Sequence, residues 1–187
     1  ASDVYKRQLP GSGLKLTRLT SNSGLTYQPA LSPDASLVAY SSDRGREGNL
    51  DIWLQQVSGG EPLRRTHHEA ADYAPTFSPD GGQIAFRSNR NEGGIYVMPV
   101  LGGEEKLLIP RGHDPRFSPD GKWIAYWVGQ DKGAGAENDP AGDIYIVGAC
   151  GGVGKKVGLN LPPGGNPIWA PDSHSLLVYA NRRVPPG

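Results

Sequence analysis

One six-residue motif recurs four times along the chain and constrains the fold more than any other feature. Its pattern is Pro-x-(aromatic or Leu)-(Ser or Ala)-Pro-Asp, and a short apolar run follows each copy. The copies lie at residues 29–34, 75–80, 115–120 and 167–172. Self-similarity at a period of about 40 to 50 residues is typical of repeat proteins. The sequence therefore predicts a series of similar structural units.

The second repeat shows the internal order of one unit most clearly. Residues 74–78 and 83–88 are short β-prone runs, joined by a Pro-Asp-Gly turn at 79–81. Pro, Asp and Gly suit the second, third and fourth positions of a type I turn. Two further β-prone runs, 94–98 and 106–109, are separated by a Gly-Gly pair. The unit is therefore predicted to be a four-stranded antiparallel meander.

The same four pieces can be laid over the other repeats. This gives blades at about 25–66, 72–109 and 113–158, with an incomplete one at 165–187. Second strands such as 84–86 and 123–128 are apolar on both faces, which indicates that both faces are covered. Small sheets that cover one another around an axis are propeller blades. We therefore predict an all-β fold, a partial β-propeller with three full blades and fragments of two others.

The two ends of the chain fit this pattern less well. Residues 1–10 match no blade strand and are predicted to be a non-native or disordered leader, whereas 11–187 form one propeller segment. Residues 14–20 resemble the outer strand of a preceding blade. The last repeat stops after its second strand, so we expect further blades in a parent chain and an unpaired apolar edge at 176–179.

Composition excludes several classes of partner. Lys plus Arg and Asp plus Glu number 19 each, for a formal net charge of zero, and no block of one sign occurs. This argues against a nucleic-acid partner. No apolar run approaches the ~18 residues of a membrane span, so we expect no membrane insertion. Cys150 is the only cysteine, which excludes an internal disulfide.

The motif positions themselves are predicted to be structural, because Pro fixes φ and Asp and Gly suit the turn. These predicted turn residues are Ser32, Pro33, Asp34, Ser78, Pro79, Asp80, Gly81, Ser118, Pro119, Asp120, Gly121, Pro171 and Asp172. Ala35 and Ser173 stand where the second and third copies have glycine. The hairpin signal is therefore weaker in the first and fourth repeats.

The opposite set of connections is the predicted partner surface. Alternate connections of an up-and-down blade emerge on opposite faces, and the longer polar ones, 43–49, 89–93 and 129–142, share a face with the segments between blades. We call this the loop face. Its candidate partner-binding residues are Arg44, Arg46, His67, His68, Asp72, Tyr73, Arg90, His113, Asp114, Trp127 and Asp131. Tyr73 and Trp127 either anchor a contact or pack between blades.

No pattern predicts catalysis, a cofactor or a metal. Residues 149–156 are superficially similar to a phosphate-binding loop, but no Ser or Thr follows Lys156 and no helix is indicated. The adjacent His67, His68 and Glu69 cannot all face one ion from an extended strand, so a solvated loop is favoured. Neither Gly-x-Ser-x-Gly nor His-Glu-x-x-His occurs.

The repeat resembles a known family. Phe-Ser-Pro-Asp-Gly at 77–81, Ile-Ala-Phe at 84–86, Ile-Tyr-Val-Met at 95–98 and the Gly-Gly pair at 102–103 resemble the WD-like repeat of TolB-type bacterial β-propellers. The resemblance covers nearly all of residues 16–180. It implies a protein or peptide partner and a periplasmic or extracytoplasmic location.

The resemblance leaves two functions open, because a fold serves many roles. Similar propellers form the sensor parts of bacterial serine/threonine kinases and winged-helix regulators, which implies a non-catalytic interaction or sensing module. Others stand in front of prolyl-oligopeptidase-type hydrolases, which implies a substrate-gating propeller of a serine peptidase. Sequence beyond Gly187 or before Gly11 would distinguish these alternatives.

Overall fold

The computed structural model describes residues 18–21, 24–130, 141–158 and 164–180, and its regular structure there is fourteen β-strands. The first blade holds β1 (Thr26–Leu31), β2 (Leu37–Ser42), β3 (Asp51–Gln56) and β4 (Leu63–Arg64). The second holds β5 (Asp72–Phe77), β6 (Gln83–Ser88), β7 (Gly94–Pro99) and β8 (Lys106–Pro110). The third holds β9 (His113–Phe117), β10 (Trp123–Gln130), β11 (Ala141–Gly148) and β12 (Lys155–Val157), and β13 (Gly164–Trp169) and β14 (Leu176–Ala180) begin a fourth.

Each blade is an antiparallel meander in chain order, which confirms the predicted all-β partial propeller. The strands of the second blade lie within two residues of the runs predicted from the sequence. One feature differs from fully separate blades, since β11 also pairs with β13 through Gly142 and Gly164. Gly142 is also required for the packing of β11 on β10, because a β-carbon there would meet the carbonyl oxygen of Val128 at 2.5 Å.

The first strands of successive blades lie beside one another. β1 contacts β5, β5 contacts β9, and β9 contacts β13. The fourth strands β4, β8 and β12 pair only with the third strand of their own blade among the described residues. The first strands therefore surround a common axis, and the fourth strands lie at the periphery.

The apolar core lies between blades rather than within any one of them. One buried cluster joins Ile52 of the first blade to Ile84 and Phe86 of the second. Another joins Ala85 of the second blade to Ile124 of the third. Consecutive residues of β6 thus face opposite neighbours, as side chains of a strand must. This explains why the second strands are apolar on both faces.

Each motif turn is closed by its own polar groups. The backbone N–H of Ala35 donates to Ser32 O at 2.8 Å, and the turns that start at Ser78, Ser118 and Ala170 close in the same way. In the first three copies the serine Oγ donates to Oδ1 of the motif aspartate at 2.6, 2.5 and 2.6 Å. That Oγ also accepts the N–H of the first residue of the second strand, at 2.9, 2.9 and 3.0 Å.

Several expectations fall wholly or partly outside the described residues. These include the leader at 1–10, Asp131, and most of the predicted outer strand at 14–20. Residues 18–21 form no strand, although Leu19 O accepts a hydrogen bond from Gln55 Nε2 at 3.2 Å. In the part of the chain that is described, no helix has the length and apolar character needed to cross a membrane.

Candidate partner-binding surfaces

The strand register places the longer connections on one face. Asp72 pairs with Ser88, Ser88 with Gly94, and Gly94 with Pro110, so these four residues share one end of the second blade. The first blade repeats this arrangement. Segments 43–50, 65–71, 89–93 and 111–112 therefore all lie on the loop face.

The connection between the first two blades is fixed from both sides. The buried Thr66 accepts the N–H of Ile52 through Oγ1 at 2.9 Å. Asn49 Nδ2 donates to His68 O at 3.1 Å, and the N–H of Asn89 donates to Ala71 O at 2.9 Å. The side chains of His67 and His68 are exposed above this backbone. The connection therefore presents a polar tip on a fixed support.

Asp72 and Arg90 contact each other inside the second blade. Arg90 Nη2 donates to Asp72 Oδ2 at 2.8 Å, and Arg90 Nη1 pairs with Glu105 Oε2. The guanidinium also lies 4.5 Å from the ring centroid of Tyr96. Burial raises the pKa of Asp72, against hydrogen bonding from Ser88 and the charge of Arg90. Both side chains thus hold the blade together beneath the loop face.

Arg44 occupies the same position in the first blade as Arg90 in the second. Both backbone N–H groups donate to the serine Oγ two residues earlier, at 3.3 Å in each case. The Cζ atom of Arg44 lies 5.2 Å from the ring centroid of Trp53 and 5.7 Å from that of Tyr40. Arg46, two residues further along, is exposed. The first blade therefore supplies both a stacked and a free-standing arginine to the loop face.

The aromatic candidates lie at the edges of this face. Tyr73 is half-buried, and its hydroxyl donates to Asn89 Oδ1 at 3.3 Å. His113 and Trp127 are both buried, and their rings stack 4.1 Å apart at 13°. The stacked pair joins β9 to β10 within the third blade. Tyr73 is the aromatic candidate that remains accessible.

Asp114 forms an ion pair within its own strand, β9. Its Oδ1 pairs with Arg116 Nη2 at 2.6 Å. Burial raises the pKa of Asp114, and the charge of Arg116 opposes the rise. Asp114 is also one of four residues that precede a motif proline with a left-handed backbone. Their φ angles are 53° for Gln28, 53° for Ala74, 50° for Asp114 and 51° for Asn166.

These left-handed residues are bulges in the first strands, where the register skips in all four blades. Gln28 Oε1 accepts the N–H of Ala74 at 2.9 Å, which joins the first two blades at the axis. A cleft of about 280 Å³ opens here, lined by Gln28, Pro29, Ala30, Ala74, Pro75, Thr76 and Arg116. We call it the axial cleft.

Sequence reasoning missed the axial cleft. The available signal was that each motif begins with proline, which biases the preceding residue away from helical backbone. That signal marks the position of Gln28 and its counterparts. It does not indicate that the bulges of separate blades lie together.

Comparison with known proteins identifies the family. Residues 2–137 match the TolB beta-propeller domain family. The chain belongs to that family. A protein described as TolB from Agrobacterium tumefaciens superposes with a TM-score of 0.71 at 22% identity, over 88% of this chain and 61% of that one. TolB from Acinetobacter baumannii gives a TM-score of 0.70 at 23% identity, over 88% of this chain and 40% of that one.

A further match comes from sequence alone. The chain is 36% identical over 69 residues to a protein named uncharacterized peptidase YuxL, from Bacillus subtilis (strain 168). That match covers 36% of this chain and 9% of the relative. The TolB-family chain thus spans less than two thirds of each of these proteins. The resemblance drawn from the repeats is confirmed, and the similarity to the solved structures is one of fold.

Proposed function

We propose that this TolB-family chain is a non-catalytic module that binds a protein or peptide on its loop face. The observation that supports this most is the exposed tip at His67 and His68. Its backbone is held by hydrogen bonds to both neighbouring blades. Binding residues are commonly found on loops that a rigid scaffold positions. A fixed tip also lowers the ordering cost of association.

The opposite face, which carries the motif turns, is a poorer candidate. There the serine and aspartate side chains bond to one another and to backbone N–H groups within each turn. Few hydrogen-bonding groups are left for a partner. The two faces therefore differ in what they offer, although both are made of turns.

The loop face also supplies the kinds of side chain that interfaces use. Tyr73 and Trp53 are half-buried, so each presents part of an aromatic surface that a partner can cover. Arg46, Glu47 and Glu92 are exposed around them and give a rim of mixed charge. This combination suits a polar peptide better than an apolar or uniformly charged one.

Selection of peptides that bind the chain, followed by affinity measurements on variants, tests the proposal. Peptides that bind the wild type would be selected from a random library. Their affinity would then be measured for a loop-face variant, Arg46→Ala/His67→Ala/His68→Ala. A matched turn-face variant, Glu61→Ala/Glu104→Ala/Lys155→Ala, also changes three exposed residues. We expect the loop-face variant to weaken binding by about tenfold or more, and the turn-face variant to leave it unchanged. Weakening only in the turn-face variant would reject the loop face.

A second candidate function rests on the match to the Bacillus subtilis protein named as a peptidase. In that case the propeller would gate access to a hydrolase domain elsewhere in a longer polypeptide. The complete open reading frame tests this directly. A Gly-x-Ser-x-Gly elbow in a following domain would favour gating. A reading frame without any hydrolase domain would exclude it.

A further inference from the structure

Arg87 is a buried cation with no charged partner among the described residues. It lies on β6 between Tyr73 of β5 and Ile95 of β7, and is 6% exposed. Its Nε and Nη1 atoms are buried and have no hydrogen-bond partner. No carboxylate pairs with it among the described residues. A buried guanidinium normally has such a partner, because removing its charge from water costs several kcal/mol.

Arg64 and Arg90 satisfy that requirement. Arg64 pairs with the buried Asp51 at 2.6 Å, and Arg90 pairs with the buried Asp72 at 2.8 Å. Arg87 is therefore an exception within its own surroundings. A buried charge that is left uncompensated points to a group that the described residues do not provide.

The fold does not require an arginine at this position. The cross-strand pairs Tyr27–Ser41, Tyr73–Arg87 and His113–Trp127 occupy the same register in the three blades. The counterparts of Arg87 are thus a serine and a tryptophan, both neutral. Because uncharged residues serve the same place in the blade, packing alone does not account for Arg87.

The guanidinium of Arg87 lies against the loop face. A β-carbon on Gly93 would clash with its Nη2 atom, so the group reaches the end of the β6–β7 connection. Gly93 O accepts the N–H of Arg111 at 2.8 Å. Arg111 is exposed and has no carboxylate partner in the described part of the chain. The Arg87 guanidinium and the backbone of Arg111, a second arginine without an acidic partner among the described residues, therefore both adjoin Gly93.

We propose that Arg87 is the anchor of a carboxylate-binding subsite between the second and third blades, with Arg111 as its outer cation. This deepens the proposed function and rests on it, since the carboxylate would belong to the bound peptide. A guanidinium suits this ligand because its N–H groups form charge-assisted hydrogen bonds to carboxylate oxygens. Nη2 is the atom of this group that lies nearest to Gly93. The carboxylate is either an acidic side chain or a peptide C-terminus.

Acetate serves as the first probe, compared with chloride at equal ionic strength on the full chain. We expect acetate to raise the melting temperature of the wild type in a saturable manner, and to have no such effect on Arg87→Met. Without acetate, Arg87→Met should melt higher than the wild type, because it removes a desolvated charge. Lys155→Met, on the opposite face, should respond to acetate as the wild type does. An Arg87→Met chain that keeps the acetate response would overturn the subsite.

Two milder variants keep the test decisive if Arg87→Met folds poorly. Arg87→Lys retains the charge but loses the planar guanidinium. Arg111→Met changes only an exposed side chain. Each should weaken the acetate response several-fold. Full responses in both variants would contradict the proposal.

Selected peptides then separate the two sources of the carboxylate. Each peptide would be compared with its C-terminally amidated form and with its Glu→Gln or Asp→Asn forms. The source is identified by the modified form that binds the wild type about 30-fold or more weakly than the unmodified peptide does. The same form should bind Arg87→Met as tightly as the unmodified peptide does. Loop-face binding that is unaffected by all these changes would sink the subsite and leave the proposed function standing. An Arg87-dependent acetate response without any peptide binding would support the subsite and reject the proposed peptide-binding function.

Discussion

At the residue scale, the last position of each motif turn decides how well the turn fits its sequence. Gly81 and Gly121 have φ angles of 71° and 73° there, which cost glycine little. Ala35 and Ser173 adopt 56° and 62° at the same position. Ser173 is compensated, because its Oγ accepts the N–H of Asp120 from the neighbouring blade at 3.0 Å. Ala35 has no side-chain group that could do this.

Ala35→Gly is expected to stabilise the chain by about 0.5–1 kcal/mol. The change relieves a left-handed backbone that costs a non-glycine residue about 1–2 kcal/mol, and glycine entropy offsets part of the gain. Urea unfolding with an unchanged slope measures this. Ser173→Gly is the matched control and should bring no gain, because it also removes the hydrogen bond to Asp120. Equal stabilisation by both changes would contradict this explanation.

The serine of the motif is expected to control the acidity of its aspartate. The Ser32 hydrogen bond, with further bonds from Ser36, lowers the pKa of Asp34 from 3.8 to about 2. A carboxyl whose pKa is lower in the folded chain stabilises it above the ordinary value, and this contribution disappears as the pH falls through the folded pKa. The wild type should therefore lose stability between about pH 4 and pH 2.

Ser32→Ala tests that dependence directly. We expect the pKa of Asp34 to move back towards its ordinary value, observed by NMR titration of the carboxyl carbon. The loss of stability in acid should be shallower than in the wild type. Asp80, whose pKa is lowered by the equivalent Ser78, should titrate unchanged in this variant and is the internal control. An unaltered Asp34 titration would show that another group sets its acidity.

At the scale of the element, Arg90 connects three parts of the second blade. It begins the connection after β6, reaches Asp72 at the start of β5, and pairs with Glu105 just before β8. Its guanidinium also lies over the aromatic rings of Phe86 on β6 and Tyr96 on β7. One side chain therefore touches all four strands or their immediate flanks.

Arg90→Met is expected to destabilise the chain by about 3–5 kcal/mol, because it leaves the buried Asp72 without its partner. Chemical denaturation at neutral pH measures the change. The double variant Asp72→Asn/Arg90→Met should be more stable than Arg90→Met alone, since it replaces the unpaired buried carboxyl of Asp72 with a neutral amide. A double variant that is less stable than the single one would indicate that Asp72 does not depend on Arg90.

Elements were predictable where their determinants are local. Pro79, Asp80 and Gly81 adjoin one another, so their turn chemistry could be read directly and the flanking strands followed from it. The Arg90 contacts join residues 18 and 15 positions apart, and no sequence pattern marked them. Arg90 was accordingly assigned to the loop face for its charge, whereas the structure shows most of its contacts directed into the blade.

At the scale of the whole molecule, stability comes from the surfaces between blades. Ile84 and Ala85 are adjacent on β6 yet belong to different buried clusters, one shared with each neighbouring blade. That arrangement was predictable, because strands covered on both faces lack alternation. The axial cleft was not, since it requires bulges from separate blades to meet. The unpartnered Arg87 also became visible only once its surroundings were known.

The contacts between blades provide the most direct test of this arrangement. In a NOESY spectrum of the chain, we expect cross-peaks from the Ala74 amide to the Gln28 side chain, and from the Gly121 α-protons to the Pro79 δ-protons. Both pairs join successive blades near the axis or at the motif turns. Strand-pairing cross-peaks within each blade, together with absence of both inter-blade sets, would contradict the propeller packing on which this account depends.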